Sequence, residues 1–348
     1  GPSCDCWGTS PSPAPGGGMP KIMIVTEAEL RRLVPLDAAA ISCIREAFKL
    51  LAGGDVIMPP VLGFEVPARN AEVDVKTAYV PGLPHFAIKI SPGFFDNPQR
   101  GLPSLNGLMT VFSAETGLVE AVLLDNGFLT DVRTAAAGAV AADALARDDA
   151  RRVAILGAGE QAGLQLEALQ LVRDVSHAAL WARDVEKAEA KATQLSERLG
   201  IDVVATSDAA TACEGADIII TTTPATTPLI SADMLKPGQH VTAMGSDAHH
   251  KRELASDVVH RATRYVPDRL SQVRERGELR AAIADGTVAA DACFAELGNV
   301  LTGDAPGRLS AEDITVADLT GTGIQDTAIA TLATARARAE HAGTWITS

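Results

Sequence analysis

Gly157, Gly159 and Ala162 stand at the spacing G-x-G-x-x-A, directly after the apolar run Val153-Ala154-Ile155-Leu156. Glycines at that spacing turn the chain tightly and let a phosphate approach bare backbone, while a small third residue lets helix and strand pack closely. A helix opening at Glu160 and running on through Gln161 directs free N–H groups and its positive dipole end back at the turn. The chemistry to expect there is binding of a dinucleotide pyrophosphate. Arg133 lies in the otherwise small, apolar stretch TDVRTAAAGAVAADALA, where an unpaired guanidinium is costly. It is either one arm of an ion pair with Asp131 or Asp143, or a planar fork held ready for a carboxylate. Asp247 follows the strand-like run His240 to Met244 and a Gly-Ser turn. The carboxyl end of a parallel strand is where open α/β sheets place their ligands, although an ordinary turn aspartate looks the same.

The elements around these residues alternate. Strand-like runs Ala178 to Trp181, Ile201 to Ala205, Asp217 to Thr222 and His240 to Met244 are separated by helical runs such as Val185 to Leu199, which ends at Gly200. With the unbroken apolar run before Gly157, which suits a strand covered on both faces, this predicts a Rossmann-type, doubly wound α/β domain over residues 140–315. Upstream, a strand Ile22 to Val25 leads into a helix with the capping-box pair Thr26 and Glu29, then a second helix from Asp37 to Leu51. Segments Val73 to Val80, His85 to Ile90, Leu108 to Ser113 and Leu118 to Leu124, with Gly, Pro and Asn between them, predict a mixed sheet. A strand Ile314 to Ala317, the turn LTGTG and a helix from Ile324 to His341 return the chain to that region. The expected organisation is a discontinuous α+β domain, residues 19–139 and 316–348, around the dinucleotide domain. Residues 1–18, rich in Pro, Gly and Ser, read as a disordered leader or tag without the basic and apolar regions of a secretion signal.

Composition narrows the partners. The 348 residues are 47% hydrophobic, enough for two domains with real cores. Against 30 basic residues stand 44 acidic ones, a net charge of −14, and no Lys/Arg cluster suits a phosphate backbone, so nucleic acid is not an expected partner. No apolar run approaches the roughly 20 residues of a membrane span. Of five cysteines, Cys4 and Cys6 fall in the leader, and Cys43, Cys213 and Cys293 have no metal-like spacing. The expectation is a metal-free protein of the reducing cytoplasm.

The segments FAIKISPGFFDNPQRGLPS, LTDVRTAAAGAVA, ILGAGEQA, AMGSDAHHKREL and DLTGTGIQD occur in this order. By them the chain resembles the ornithine cyclodeaminase/μ-crystallin family over nearly everything after Met19, and within it the EutC-type cyclodeaminase-like proteins of ectoine utilisation. The resemblance implies a Rossmann domain that binds NAD(H) or NADP(H) and a second domain with the substrate pocket and a homodimer interface. It implies hydride transfer to or from a carbon bearing nitrogen. Carried over residue by residue, it places Lys89 and Arg133 at the substrate carboxylate and makes Asp247 the acid/base beside the C–N bond. Gly157, Gly159, Glu160, Gln161 and Ala162 fall in its cofactor site. So do Thr223, Met244, Gly245 and Ser246, and then Thr320 and Gly321. His249 and His250 replace smaller residues that many members carry there, and they either tune the pocket or, the preferred reading, face water.

Cofactor and substrate are less fixed. NAD-specific sites carry an acid about 20 residues past the glycines. Here the second strand ends in Trp181-Ala182-Arg183-Asp184. Arg183 suits a 2′-phosphate and favours NADP, Asp184 lies late for a ribose, and both cofactors stay open. Val61 follows Met58-Pro59-Pro60 where family members often carry an arginine, and Lys76 stands where ornithine-specific members use an acid. A lysine there repels a second amine. The expected reaction is reduction of a small α-imino acid, in ectoine or hydroxyectoine breakdown. The alternatives are cyclodeamination of ornithine or another diamino acid, and μ-crystallin-like holding of NADPH and a small ligand.

Overall fold

A computed structural model describes Trp7 and residues 20–348; the remainder of the expected leader, with Cys4 and Cys6, lies outside the described residues. Trp7 itself is buried in an apolar core, which departs from the leader reading at that residue. The chain divides into two compact units, residues 1–133 with 322–348, and residues 134–321.

In the first unit, β1 (Lys21–Thr26) runs into α1 (Glu27–Leu33) and α2 (Ala38–Ala52). The Thr26 N–H donates to Glu29 Oε2 at 2.9 Å and the Glu29 N–H to Thr26 Oγ1 at 3.4 Å, the reciprocal cap that the sequence spacing predicts. Asp37 caps α2 through the Ala40 N–H at 2.9 Å, and Ala40, Ile44, Ala47 and Leu51 bury one helical stripe. A meander follows: β2 (Leu62–Val66), β3 (Ala71–Ala78), β4 (His85–Phe94), β5 (Leu108–Ser113) and β6 (Val119–Leu124). Alternation along β4 buries His85, Ala87 and Lys89 on one face. The sequence reading missed β2, an edge strand largely exposed on both faces that therefore shows no alternation. The helix α3 (Phe128–Leu145) then begins, its Leu129 N–H held by Asp125 at 2.9 Å.

The second unit is built on strands β7 (Arg152–Leu156), β8 (His177–Trp181), β9 (Asp202–Ala205), β10 (Ile218–Thr221), β11 (His240–Ala243), β12 (Arg264–Pro267) and β13 (Thr315–Asp318). All pair in parallel, in the order β12-β13-β11-β10-β7-β8-β9. Helices α4 (Glu160–Gln170), α5 (Val185–Leu199) and α6 (Ala209–Glu214) join the first strands. Helices α7 (Ser256–Arg261), α8 (Leu270–Arg276), α9 (Glu278–Ala284) and α10 (Leu297–Thr302) follow later. Val153 and Ile155 join one core while Ala154 and Leu156 join another, so β7 is covered on both faces as its apolar run predicts. The sheet starts at β7, winds out to β9 and resumes at β10 on the other side. The strand order thus reverses beside the glycine turn, which is the position of a ligand crevice in doubly wound sheets.

Two expected boundaries move. β13 pairs with β11 and β12, so residues 316–321 belong to the second unit, and the first boundary falls after Arg133, not after residue 139. The chain returns to the first unit as α11 (Gly323–Ala339) and β14 (Thr344–Thr347), the latter pairing antiparallel with β1 to give the order β14-β1-β6-β5-β4-β3-β2. α11 is buried on nearly all sides, and a Cβ on Gly323 would lie 2.1 Å from Thr77 O, so only glycine lets the helix start against β3. No helix among the described residues is long and apolar enough to cross a membrane.

Candidate functional site

In the first unit the sheet and α11 bring three basic side chains to one carboxylate. Lys76 on β3 and Lys89 on β4 are direct cross-strand partners, and both are buried. Lys89 Nζ donates to Asp326 Oδ1 at 3.0 Å; Arg133 Nε donates to the same oxygen at 3.0 Å and Arg133 Nη1 to Gln325 Oε1 at 3.0 Å. Arg133 is thus paired with Asp326 on α11, not with Asp131 or Asp143, and Asp143 instead meets Arg173 at 2.5 Å. Burial pushes the Lys89 ammonium down to about 7, with the Arg133 charge adding to it and Asp326 opposing. Burial works to raise the Asp326 carboxyl, yet Arg133, Lys89 and Lys76 together hold it below the ordinary range. Asp326 Oδ2 and Gln325 Nε2 are buried without a hydrogen-bond partner among the described residues. A buried group left so costs on the order of 1–3 kcal/mol, and an excess of cations costs more, unless an anion completes the set.

In the second unit the glycine turn has the shape of a phosphate cradle. Gly157 has φ +131°, and a Cβ there would lie 2.4 Å from Thr222 Oγ1. Gly159, at the start of α4, has nothing within 4 Å of a Cβ position and gives the helix no side-chain cap. Within the first turn of α4, Glu160 is exposed and Ala162 packs inside. Gln161 Oε1 accepts from Gln165 Nε2 at 3.1 Å. Past β8, Asp184 caps α5 through the Lys187 N–H at 3.2 Å, whereas Arg183 is exposed.

At the carboxyl ends of β10, β11 and β13, polar groups hold the loops. Asp247 Oδ1 accepts from Lys251 Nζ at 2.8 Å, and the aspartate side chain is 43% exposed, open to a reacting partner. Ser246 is buried and its hydroxyl donates to Lys251 O at 2.9 Å. Gly245 and Thr223 share the carboxylate of Glu253 through their N–H groups, at 2.6 and 2.7 Å. Thr320 and Gly321 give their N–H groups to Asp268 Oδ2, both at 2.8 Å. Met244 follows β11 directly, its N–H bound to Thr221 O at 3.0 Å. His249 and His250 are exposed, the former 2.9 Å from Glu275 O.

Lys76, Lys89 and Arg133 thus form one cluster in the first unit, and Asp247 with the cofactor-type residues lines the strand ends of the second. Sequence reasoning missed Asp326, Gln325, Lys251 and Glu253. The first two carried a signal: adjacent polar residues in the first turn of a helix whose next nine residues are small or apolar.

Residues 21–341 match the ornithine cyclodeaminase/mu-crystallin family. A protein of Rhizobium meliloti strain 1021, provisionally named a dehydrogenase, is 60% identical over 326 residues, covering 94% of this chain and 99% of that one. An archaeal alanine dehydrogenase, a dimer with bound NAD, superposes with a TM-score of 0.87 at 32% identity, covering 94% and 99%. The Delta(1)-pyrroline-2-carboxylate reductase of Thermococcus litoralis, in complex with NADH and L-proline, superposes with a TM-score of 0.88 at 28% identity, covering 92% and 99%.

Proposed function

The chain belongs to the ornithine cyclodeaminase/mu-crystallin family, and from that premise we propose an NAD(P)-dependent enzyme that reduces the C=N bond of a small α-imino acid. The observation that carries this reading is that two buried cations, Lys89 through Nζ and Arg133 through Nε, donate to the same oxygen of the one carboxylate of Asp326. Buried cations in excess call for an anion of the substrate, and a carboxylate answers both the fork of Arg133 and the point charge of Lys89. Lys76 would repel the side-chain ammonium of ornithine, which favours imine reduction over cyclodeamination. The family likeness to a pyrroline carboxylate reductase and an amino acid dehydrogenase agrees with it.

The residues at the second unit's strand ends fit a dinucleotide. Gly157 and Gly159 leave room for the pyrophosphate and α4 offers its N–H groups. Asp184 is spent on its helix cap, so Arg183 is the side chain left to read the ribose, and a 2′-phosphate suits it; this favours NADP. The nicotinamide, when bound, supplies a hydride to the imine carbon. Asp247, or a water it orients, gives the proton to the imine nitrogen, so that C=N becomes CH–NH. Lys89 and Arg133 hold the carboxylate, and the ion pair with Lys251 keeps Asp247 oriented.

Ile57, Leu62, Phe64, Leu102 and Leu105 of the first unit are each more than half exposed. Such apolar side chains suit an interface, and we read them as the face of a homodimer. Placement in ectoine breakdown rests on the motif resemblance alone. Turnover with imines made in situ and with diamino acids tests the whole reading. A reductase consumes NAD(P)H in step with product, a cyclodeaminase turns over with no net change in the nicotinamide absorbance, and a μ-crystallin-like binder does neither. Turnover of diamino acids but of no imine would overturn the proposal.

A further inference from the structure

The loop from Gly245 to Glu253 carries Asp247, and a side chain that the chemistry above does not use closes it at the base. Glu253 is wholly buried. Its Oε1 accepts from the Gly245 N–H at 2.6 Å and the Thr221 hydroxyl at 2.8 Å, and its Oε2 from the N–H and hydroxyl of Thr223, both at 2.7 Å. No cation pairs with it among the described residues. The loops after β10 and β11 are pressed together around this carboxylate. A Cβ on Gly245 would lie 2.1 Å from Thr223 O and 2.4 Å from Glu253 Oε1. Behind it, the N–H groups of Glu253 and Leu254 bind Glu278 at 2.8 and 3.1 Å, so the base of the loop is fixed from both sides. Within the loop, the Ser246 hydroxyl reaches Lys251 O at 2.9 Å and Lys251 reaches Asp247 at 2.8 Å.

We propose that Glu253 is a positioning residue: by tying the loop after β11 to the loop after β10, its carboxylate sets where the carboxyl of Asp247 stands at the cofactor-binding strand ends. This rests on the reading of Asp247 as the group that handles the proton. Each oxygen accepts a backbone N–H as well as a hydroxyl, so the geometry favours the carboxylate while burial works to raise its pKa. Glutamine cannot replace it. Whichever oxygen becomes the amide nitrogen, its hydrogens face a backbone N–H, that of Gly245 on one side or of Thr223 on the other.

The test is a cycle of Glu253→Gln, Asp247→Asn and the double variant in the full chain, with kcat, KM, cofactor affinity, pH profile and melting temperature measured for each. In the wild-type background Glu253→Gln should lower kcat about 10- to 100-fold, the loss typical of a charged hydrogen-bonding group, with cofactor affinity changed much less. In the Asp247→Asn background the further fall should shrink to less than about threefold, because groups that act as a unit are not additive. If Glu253→Gln does not fold, Thr223→Val removes only a hydroxyl donor. It should lower kcat by about 3- to 10-fold, an effect again lost with Asp247→Asn. Equal falls in the two backgrounds, or a kcat for the folded single variant within about twofold of wild type, would overturn the proposal alone. An unchanged kcat in Asp247→Asn would strike down the acid/base reading itself and this proposal with it.

Discussion

In the first unit, the buried cations Lys89 and Arg133 share the one carboxylate of Asp326; in the second, four carboxylates, Glu253, Asp268, Glu278 and Asp318, are buried with no cation paired to any of them among the described residues. The second set is held by neutral donors instead. Asp318 takes the Tyr265 hydroxyl and the Glu278 N–H, Glu278 takes the N–H groups of Glu253 and Leu254, and Glu253 takes Gly245, Thr221 and Thr223. The two sets serve different ends. Excess positive charge in a buried cluster is unfinished until an anion arrives, so it suits a substrate site. Carboxylates bound by several neutral N–H and hydroxyl donors fix loops without calling for a charged ligand, although Oδ1 of Asp318 is buried with no partner among the described residues.

The contrast can be broken at its reactive end. Asp247, whose side chain is 43% exposed and paired with Lys251, is the acid to which the proposed function gives the proton. Asp247→Asn should lower kcat by about 10²- to 10⁴-fold with cofactor affinity near wild type, as read by steady-state kinetics and fluorescence titration. A smaller effect than about threefold would place Asp247 with the loop-holding acids.

Next in size is the counterion. Asp326→Asn leaves Lys89 and Arg133 buried with a neutral partner and should destabilise the chain by about 3–5 kcal/mol, measured by denaturant unfolding. A carboxylate ligand should restore part of that stability, since it replaces the lost negative charge. No ligand effect would mean that the three cations do not form an anion site.

The signs of the pH dependence should differ between the units. The Lys89 ammonium is lowered from 10.5 to about 7, so between those values the unfolded chain binds the extra proton and stability rises with pH, by at most ~1.4 kcal/mol per unit. Over the same window the amine loses its charge, and affinity for a carboxylate ligand should fall by up to about tenfold per unit. Lys89→Met should abolish both trends. Burial raises the carboxyl groups of Glu253, Asp268, Glu278 and Asp318, so their contribution is present below the ordinary carboxylate range and is lost as pH rises through their elevated values. Denaturant unfolding across pH, on wild type and Lys89→Met, separates the two.

The smallest effect concerns the cofactor. Arg183→Ala should weaken NADP(H) roughly ten- to a hundredfold and leave NAD(H) nearly unchanged, the loss expected of one charged hydrogen-bonding contact. Equal changes for both cofactors would return Arg183 to the ordinary surface.

What the sequence made legible follows the range of the rules involved. The cap of Thr26 and Glu29, the stripe of α2 and the glycine turn before α4 are set by residues within a turn or two of each other, and each stands where its spacing places it. The strand–helix alternation is equally local, and it yields the doubly wound sheet. By contrast Arg133 and Asp326 lie 193 residues apart, and Lys89 and Asp326 lie 237 apart, so their pairing is a product of topology that no local pattern carries. β2 and β14 are exposed edge strands without a buried face, which removes the period that would mark them. The end of the second unit was misplaced because β13 reads as the start of the returning segment, although its pairing with β11 and β12 keeps it in the parallel sheet.

In the proposed reaction, hydride reaches the α-carbon of a small imino acid while this chain's own residues hold the carboxylate and supply the proton. The measurement that meets it most directly is reduction of an imino acid with cofactor carrying deuterium at the transferable position, followed by mass and magnetic resonance analysis of the amino acid formed. The account predicts one deuterium per product, on the α-carbon and in one stereochemical sense, with the nitrogen-bound proton drawn from solvent. Product without deuterium at the α-carbon, or no product from any imino acid that the cationic cluster can bind, would contradict it.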